Sequence, residues 1–129
     1  IVTDMERPNG IALSLNESYL FISNTGETKY MRRYEIDKNL KISKPIKFIE
    51  SDPEHVLDGF RFDVENNLWT SCGKGVACYS PSGEQIGYIK IPELVSNVDF
   101  GGTEGNTLFI TASTSLYMVN LNIKGAKYR

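Results

Sequence analysis

Two short polar motifs in the sequence contain residue types that can bind a metal or transfer a proton. Asn9 is followed by Gly10 and an alternating apolar segment, and Asp58 is followed by Gly59 and a second segment of the same kind. The amide oxygen of asparagine and the carboxylate of aspartate are hard oxygen donors that suit Ca²⁺, Mg²⁺ or Mn²⁺. A cation held there could polarise a carbonyl group, and Asp58 could take a proton from water.

Both phrases also have an ordinary structural interpretation. Asn-Gly and Asp-Gly are common turn dipeptides, because these residues tolerate a positive φ or bond to their own backbone. Two donors are also too few to close a metal site. Whether Asn9 and Asp58 are turn residues or metal ligands therefore depends on the secondary-structure elements in which they lie.

The chain predicts an all-β fold. Short alternating apolar segments are separated by clusters of Gly, Asn, Asp and Ser, and helical periodicity is almost absent. The predicted strands cover residues 10–14, 19–23, 30–36, 46–50, 59–64, 68–72, 76–80, 85–91, 98–100, 108–112 and 115–120.

An internal repeat organises these strands. In three places a turn leads into an alternating strand, and a polar turn and a second apolar strand follow. Ile11, Phe60 and Val98 mark the same position in the three units and lie 49 and then 38 residues apart. The mean of about 44 residues matches a four-stranded β-propeller blade. The sequence therefore predicts about three four-stranded antiparallel blades.

The phase of the repeat selects the chemically interesting residues. Aligning the strand faces puts Asn9, Asp58 and Ser96 at one equivalent position, just before the first strand of each unit. The first strand of each propeller blade lines the central channel, so these positions are expected to converge at one mouth. This equivalence favours a cation site over two unrelated turns.

The single histidine gives a weaker signal. His55 lies three residues before Asp58, in the loop that enters the same blade. It could contact a substrate or carry a proton, but a solvated loop histidine is the simpler interpretation.

Composition narrows the class of protein. The 129 residues include 14 Lys and Arg against 16 Asp and Glu, a formal charge of −2. This balance argues against a nucleic-acid partner and against attraction to an anionic membrane. No apolar run is long enough for a transmembrane helix.

Cysteine usage and the first residues bear on compartment and completeness. Cys72 and Cys78 flank a short turn in an arrangement that disfavours a disulfide, so we expect two buried free thiols, which favours the cytoplasm. The chain starts at Ile1 with neither an initiator Met nor a leader. We therefore expect it to be part of a longer protein, whose signal peptide, if any, lies outside this sequence.

The repeat phrases resemble those of the SMP-30/gluconolactonase/LRE-like family. They read RPNGIALS at 7–14, DGFRFD at 58–63 with NLW at 67–69, and NVDFGG at 97–102 with TLFIT at 107–111. Together they cover most of the chain in the family's order. The resemblance implies a six-bladed β-propeller with one divalent cation in its channel, of which residues 1–129 would be the C-terminal half. The missing N-terminal half would then be a partner.

The resemblance also implies a reaction. Family members hydrolyse lactones, typically sugar lactones such as glucono-1,5-lactone. The family's metal-binding Asn falls on Asn9, and its metal-binding and catalytic Asp, the general base, falls on Asp58. The cation expected first is Ca²⁺, with Mg²⁺, Mn²⁺ or Zn²⁺ as alternatives.

Two departures from the family pattern qualify this expectation. The family's metal-binding Glu belongs to the first blade, ahead of the Asn9 phrase. Val56 and Leu57 precede Asp58 where the family usually has proline directly before the aspartate. A non-catalytic propeller that binds a partner and keeps a structural cation is the alternative hypothesis.

Overall fold

The computed structural model describes residues 1–51 and 54–128, and its regular structure is almost entirely β-strand. The strands are β1 Pro8–Leu13, β2 Tyr19–Thr25, β3 Lys29–Glu35, β4 Ile46–Glu50, β5 Phe60–Phe62, β6 Leu68–Ser71, β7 Gly75–Tyr79, β8 Gln85–Lys90, β9 Val95–Gly101, β10 Thr107–Ala112 and β11 Leu116–Asn120. A 3₁₀ turn follows at Ala126–Tyr128. All predicted strands are present, and their ends differ from the predicted ones by at most three residues.

The strands form three antiparallel meanders. Their orders are β1-β2-β3-β4, β5-β6-β7-β8 and β11-β10-β9. The first strands of the three sheets are neighbours, because β5 packs against both β1 and β9. The sheets therefore follow one another around an axis as propeller blades, which confirms the predicted fold class.

The third blade differs from the prediction of four strands, because its sheet has three strands among the described residues. The segment after β11 packs against the turns of the blades rather than adding to the sheet. The Val64 N–H donates to the Lys124 carbonyl and the Gly125 N–H to the Gly105 carbonyl, both at 3.0 Å. The backbone groups of this segment thus find partners without a fourth strand.

Strand register confirms the phase of the repeat. The first two strands of the three blades pair Ile11 with Ile22, Phe60 with Thr70, and Val98 with Ile110. Because side chains alternate between the two faces of a strand, the three repeat positions point the same way relative to their sheets.

The core lies between the blades. Between the first and second blades, the rings of Phe21 and Phe62 are 4.9 Å apart, and Phe60 and Leu57 are buried with them. Between the second and third blades, the rings of Trp69 and Phe100 pack edge to face, with their centroids 6.2 Å apart. Burial of such side chains supplies about 25 cal/mol for each Å² of apolar area removed from water.

The two outer blade faces carry side chains of the same kind as the core. Ile11 on the first blade is 63% exposed, whereas its repeat counterpart Phe60 is 1% exposed. Leu116 on the third blade is 67% exposed, whereas its counterpart Val76 is fully buried against the next blade. Val2 packs on part of the first face. Both faces therefore have the composition of an interface between blades.

Two sequence predictions about the cysteines are confirmed. Cys72 and Cys78 are both buried thiols that are not joined in a disulfide. Burial, followed by the nearby charge of Asp63, raises the pKa of the Cys78 thiol to about 12, which keeps it protonated and unreactive at neutral pH. Across residues 1–51 and 54–128, the structure contains no helix that is long and apolar enough to cross a membrane.

A buried aspartate fixes the turn between β5 and β6. Asp63 is fully buried, and its Oδ1 accepts hydrogen bonds from the backbone N–H groups of Glu65 and Asn67, both at 2.9 Å. Its Oδ2 accepts from Asn67 Nδ2 at 3.0 Å and from Trp69 Nε1 at 2.9 Å. One carboxylate thus joins the turn to the side chain that faces the third blade.

Replacing Asp63 by alanine should destabilise the fold by about 2–4 kcal/mol, because four partly buried donors would lose their shared acceptor. Urea unfolding of the wild-type and variant proteins measures this difference. Asp37→Ala is the matched control, since the exposed Asp37 makes the same two backbone bonds, to Asn39 and Lys41. Its cost should be below about 1 kcal/mol, and equal costs for the two variants would contradict the assigned role of Asp63.

A second carboxylate connects the loop before β9 to the hairpin between β10 and β11. Glu93 accepts hydrogen bonds from Ser115 Oγ at 2.6 Å, the Thr114 backbone N–H at 2.8 Å and the Tyr117 hydroxyl at 2.9 Å. These bonds, with that of Ser115 the largest contribution, lower the pKa of Glu93 to about 2. We call these four residues the Glu93 latch.

The Glu93 latch should weaken in acid. The pKa is depressed in the folded state, so its stabilising effect is complete above the ordinary value of 4.5 and is lost as the pH falls toward 2. The difference in unfolding temperature between the wild type and Glu93→Ala should therefore narrow from pH 6 to pH 3.5. Glu104→Ala, an exposed change in the turn before β10, should show no such trend, and a gap that widens in acid would refute the latch.

Candidate metal and substrate site

The first strands of the three blades, β1, β5 and β9, begin at the same end of the molecule. We call this end the mouth. At this end Gly10 packs against the Asp58 carbonyl group, and the Gly59 N–H donates to the Ser96 carbonyl at 3.0 Å. At the opposite end, Leu13, Phe62 and Phe100 line one cavity of about 250 Å³. The structure therefore places the positions of Asn9, Asp58 and Ser96 side by side around the mouth.

The glycines at the mouth are needed for close packing rather than for turns. A side chain on Gly10 would overlap the Asp58 carbonyl oxygen, and one on Gly59 would overlap the carboxamide of Asn97. Neither glycine has a positive φ. The Asn-Gly and Asp-Gly pairs are therefore not tight turns, and their glycines let adjacent blades approach backbone to backbone.

Two buried serines hold this arrangement together. Ser23 Oγ, on β2, accepts from the Gly10 N–H at 2.8 Å and donates to the Asp58 carbonyl at 3.2 Å, so it joins the first two blades. Ser71 Oγ, on β6, accepts from the Asp58 N–H at 2.8 Å. Both serines are fully buried.

The sequence analysis did not predict a role for these serines. Their signal is positional, because Ser23, Ser71 and Thr111 occupy the same pairing position near the end of the second strand of each unit. The equivalence of these three residues is found only when the second strands of the three units are aligned as well as the first.

The two predicted ligands keep their side-chain oxygens available. Asp58 is half-buried, and among the described residues no group donates a hydrogen bond to its carboxylate. Burial alone raises the pKa of Asp58, because the charged form loses hydration without gaining a partner. Asn9 is exposed at the start of β1.

This donor pair fits a hard divalent cation. A half-buried carboxylate without a protein partner gains most from a cation, and an amide oxygen is a suitable second ligand. In the part of the chain that the structure describes, no group of three or more His, Cys, Asp or Glu side chains could hold a metal. Asn9 and Asp58 would therefore supply only part of the coordination shell of such a cation.

Buried leucine replaces the family's proline before Asp58. Leu57 is completely buried in the core between the first two blades. A side chain fixed in this way restrains the backbone ahead of Asp58 by packing, where a proline would restrain φ directly.

His55 lies apart from the two predicted ligands. Its imidazole packs against Gly73 in the turn between β6 and β7, and Ser51 Oγ donates to its carbonyl at 2.6 Å. It lines a cavity of about 420 Å³ with Cys72 and Tyr88, and neither Asn9 nor Asp58 contributes to that cavity.

One further polar side chain at the mouth was not predicted. The Asn97 carboxamide lies against Gly59, the residue that follows Asp58. By contrast, the Ser96 hydroxyl turns away to the Thr111 hydroxyl at 2.9 Å. In the third blade, therefore, Asn97 contacts the neighbouring blade, and Ser96, the residue at the predicted position, does not do so through its hydroxyl.

Comparison with known proteins identifies the family. The model of the SMP-30/Gluconolactonase/LRE-like region matches residues 1–114. The chain belongs to the SMP-30/gluconolactonase/LRE-like family. A gluconolactonase from Zymomonas mobilis is 31% identical over 97% of the chain.

Solved structures agree with this family membership. A gluconolactonase from Xanthomonas campestris superimposes on 92% of the chain with a TM-score of 0.83 and 30% identity. The calcium-binding protein regucalcin from Agrobacterium tumefaciens has a TM-score of 0.84 over 95% of the chain at 20% identity, which supports the fold alone.

The match covers part of each relative. The family member described here spans 38% of the length of the Zymomonas gluconolactonase, 39% of the Xanthomonas structure and 48% of regucalcin.

A cation bound by Asn9 and Asp58 should stabilise the protein. Adding Ca²⁺ should raise the unfolding temperature of the wild type, whereas Asp58→Asn should bind Ca²⁺ at least about tenfold more weakly, because the charged ligand is lost. Calorimetric titration and thermal unfolding measure the two effects. Asp37→Asn is the surface control, and an equal Ca²⁺ response of all three proteins would remove Asp58 from the site.

Proposed function

We propose that this chain supplies the C-terminal half of a propeller that hydrolyses lactones with the help of a divalent cation. The observation that carries the proposal is the half-buried carboxylate of Asp58, to which no described residue donates a hydrogen bond, at the mouth where Gly10, the residue after Asn9, packs against the Asp58 carbonyl. Gluconolactonases at 30% identity or more are among its relatives.

The cation would be held by the Asn9 amide oxygen and the Asp58 carboxylate. Oxygen donors of this kind favour Ca²⁺, with Mg²⁺, Mn²⁺ and Zn²⁺ as alternatives. When bound, it would supply Lewis-acid polarisation of the lactone carbonyl.

Asp58 would act as the general base. Its carboxylate would accept a proton from the water that attacks the lactone carbonyl. The acyl carbon–oxygen bond of the ring would then break, and the proton would pass from Asp58 to the leaving alkoxide oxygen to give the hydroxy acid. The higher pKa that burial gives Asp58 makes its carboxylate a stronger base than an exposed aspartate. The Ser71 and Ser23 bonds fix the backbone of Asp58 at the mouth.

The remaining ligands and substrate contacts would come from further blades. The exposed apolar faces at Ile11 and Leu116 match the buried interfaces between the described blades, so each is suited to pack against another blade. We assign these blades to the N-terminal half of the same propeller, which would close the ring around the mouth.

His55 is proposed as a residue near the substrate rather than at the reacting atoms. Its loop leads into Asp58 at the mouth, and its side chain lies toward the turn at Gly73. A role there would concern the outer part of a substrate.

The decisive experiment uses the completed ring, meaning this chain together with the blades that close it. Glucono-1,5-lactone should be hydrolysed with a divalent cation present and not in excess chelator. Asp58→Ala should lower kcat by roughly 10²- to 10⁴-fold through loss of the general base, and Asn9→Ala should raise the cation concentration needed for half-maximal rate.

The controls separate catalysis from folding. Unfolding temperature in chelator should be similar for the wild type and both variants. Full activity of Asp58→Ala would overturn the catalytic assignment. Cation binding without hydrolysis of any lactone would favour the alternative, a propeller that binds a partner and keeps a structural cation.

A further inference from the structure

The connection between β3 and β4 concentrates positive charge. Residues 37–47 contain four lysines and one aspartate, a formal charge of +3 in a chain whose total is −2. All of these residues except Ile42 are exposed. Three of the lysines, Lys38, Lys41 and Lys44, form no ion pair with the described residues. The charge balance of the whole chain, which argues against attraction to an anionic surface, therefore does not hold for this segment.

An apolar side chain lies in the middle of these charges. Leu40 is 81% exposed, and among the large apolar side chains of residues 1–51 and 54–128 only that of Ile1 is more exposed. The φ angle of Leu40 is +62°, in the left-handed region that glycine and asparagine adopt readily and leucine rarely. An exposed leucine in a strained conformation lowers the stability of the folded chain, which favours a role in binding over a role in folding.

Hydrogen bonds from Asp37 fix the shape of this tip. The Asp37 Oδ1 accepts from the backbone N–H groups of Asn39 at 2.8 Å and Lys41 at 2.9 Å. The Asp37 carbonyl accepts from the Leu40 N–H at 2.9 Å. The aspartate of the segment is thus engaged by the backbone, and the leucine is presented on a defined turn whose ordering is complete before any partner binds.

The connection lies at the rim of the propeller, at the end opposite the mouth. β3 is antiparallel to β2 and therefore runs away from the mouth, as β1 does, and β3 and β4 are the two outer strands of the first blade. The hairpin turns at this end carry exposed glutamates, so attraction to an anionic surface would be confined to the rim. These glutamates are Glu17, Glu65, Glu84 and Glu104.

We propose that the β3–β4 connection docks the protein on an anionic phospholipid surface. Leu40 would insert among the lipids, and Lys38, Lys41 and Lys44 would lie at the headgroup phosphates. An apolar side chain surrounded by cations fits the boundary of a bilayer, where hydrocarbon and anionic oxygens lie at neighbouring depths. A nucleic acid would attract the lysines but would offer the leucine no apolar surroundings. The mouth, at the other end of the molecule, would then face the water.

The test measures vesicle binding of the completed ring by cosedimentation. The ring should bind phosphatidylcholine vesicles that contain about one-third phosphatidylserine at least about tenfold more tightly than vesicles of phosphatidylcholine alone. Leu40→Asn should weaken binding to the anionic vesicles by roughly tenfold or more, because the inserted side chain is lost. The same variant should unfold at the same temperature as the wild type or higher, since asparagine adopts a positive φ more readily than leucine.

Charge variants with matched controls test the lysines. Lys38→Gln combined with Lys41→Gln should weaken binding to the anionic vesicles roughly 10- to 30-fold. Lys74→Gln combined with Lys90→Gln removes the same charge from exposed positions at the mouth end and should change binding less than about twofold, because screening limits the reach of those charges. Leu94→Asn, at a leucine that is 58% exposed just before β9, is the control for the apolar change and should bind as wild type.

Three results would overturn the proposal. Binding that requires the lysines but is unchanged in Leu40→Asn would show attraction to anions in general, as for a nucleic acid. Equal losses in the charge variants at the two ends would show attraction by total charge. A lower unfolding temperature of the completed ring in Leu40→Asn would show that another blade covers this leucine. Since no lactone is used, the outcome is independent of whether the protein hydrolyses one.

Discussion

The site depends on one steric constraint, the close approach of neighbouring inner strands at the mouth. Gly10 lies against the Asp58 carbonyl, and Gly59 lies against the Asn97 carboxamide. With a side chain at either glycine, the blades would have to separate, and the polar residues of successive blades would no longer surround one space. The curvature of the fold and the grouping of Asn9, Asp58 and Asn97 thus have a common cause.

Backbone and side chain of Asp58 have separate tasks. Its N–H bonds to Ser71 and its carbonyl to Ser23, so the main chain is satisfied by buried hydroxyls. Its carboxylate receives no hydrogen bond from the described residues, although burial makes the charged form less favourable. Asp63, five residues later, shows the opposite arrangement, since its carboxylate is fully used in holding a turn and an indole ring. The same residue type in one blade therefore has its carboxylate used for folding at Asp63 and left without a described hydrogen-bond donor at Asp58.

The sequence predicted those features that repeat along the chain. Alternation located the strands, and the spacing of Ile11, Phe60 and Val98 identified the blades and their phase. Features that depend on side chains meeting across blades were not predictable in this way. The path of residues 121–128 and the bond of Ser23 across to the second blade depend on such contacts, and local periodicity contains no information about them.

The exposed faces of the first and third blades have a consequence for assembly. The first face carries Ile11 at the position of Phe60, and the last carries Leu116 at the position of Val76, so the two surfaces correspond to opposite sides of one repeated junction. Contacts of this kind are head-to-tail. A ring forms only when the rotations at all the junctions add up to one full turn, which fixes the number of blades. A mismatch in that number would give open chains of blades, so the stoichiometry with which blades meet decides whether the product is a ring or a polymer.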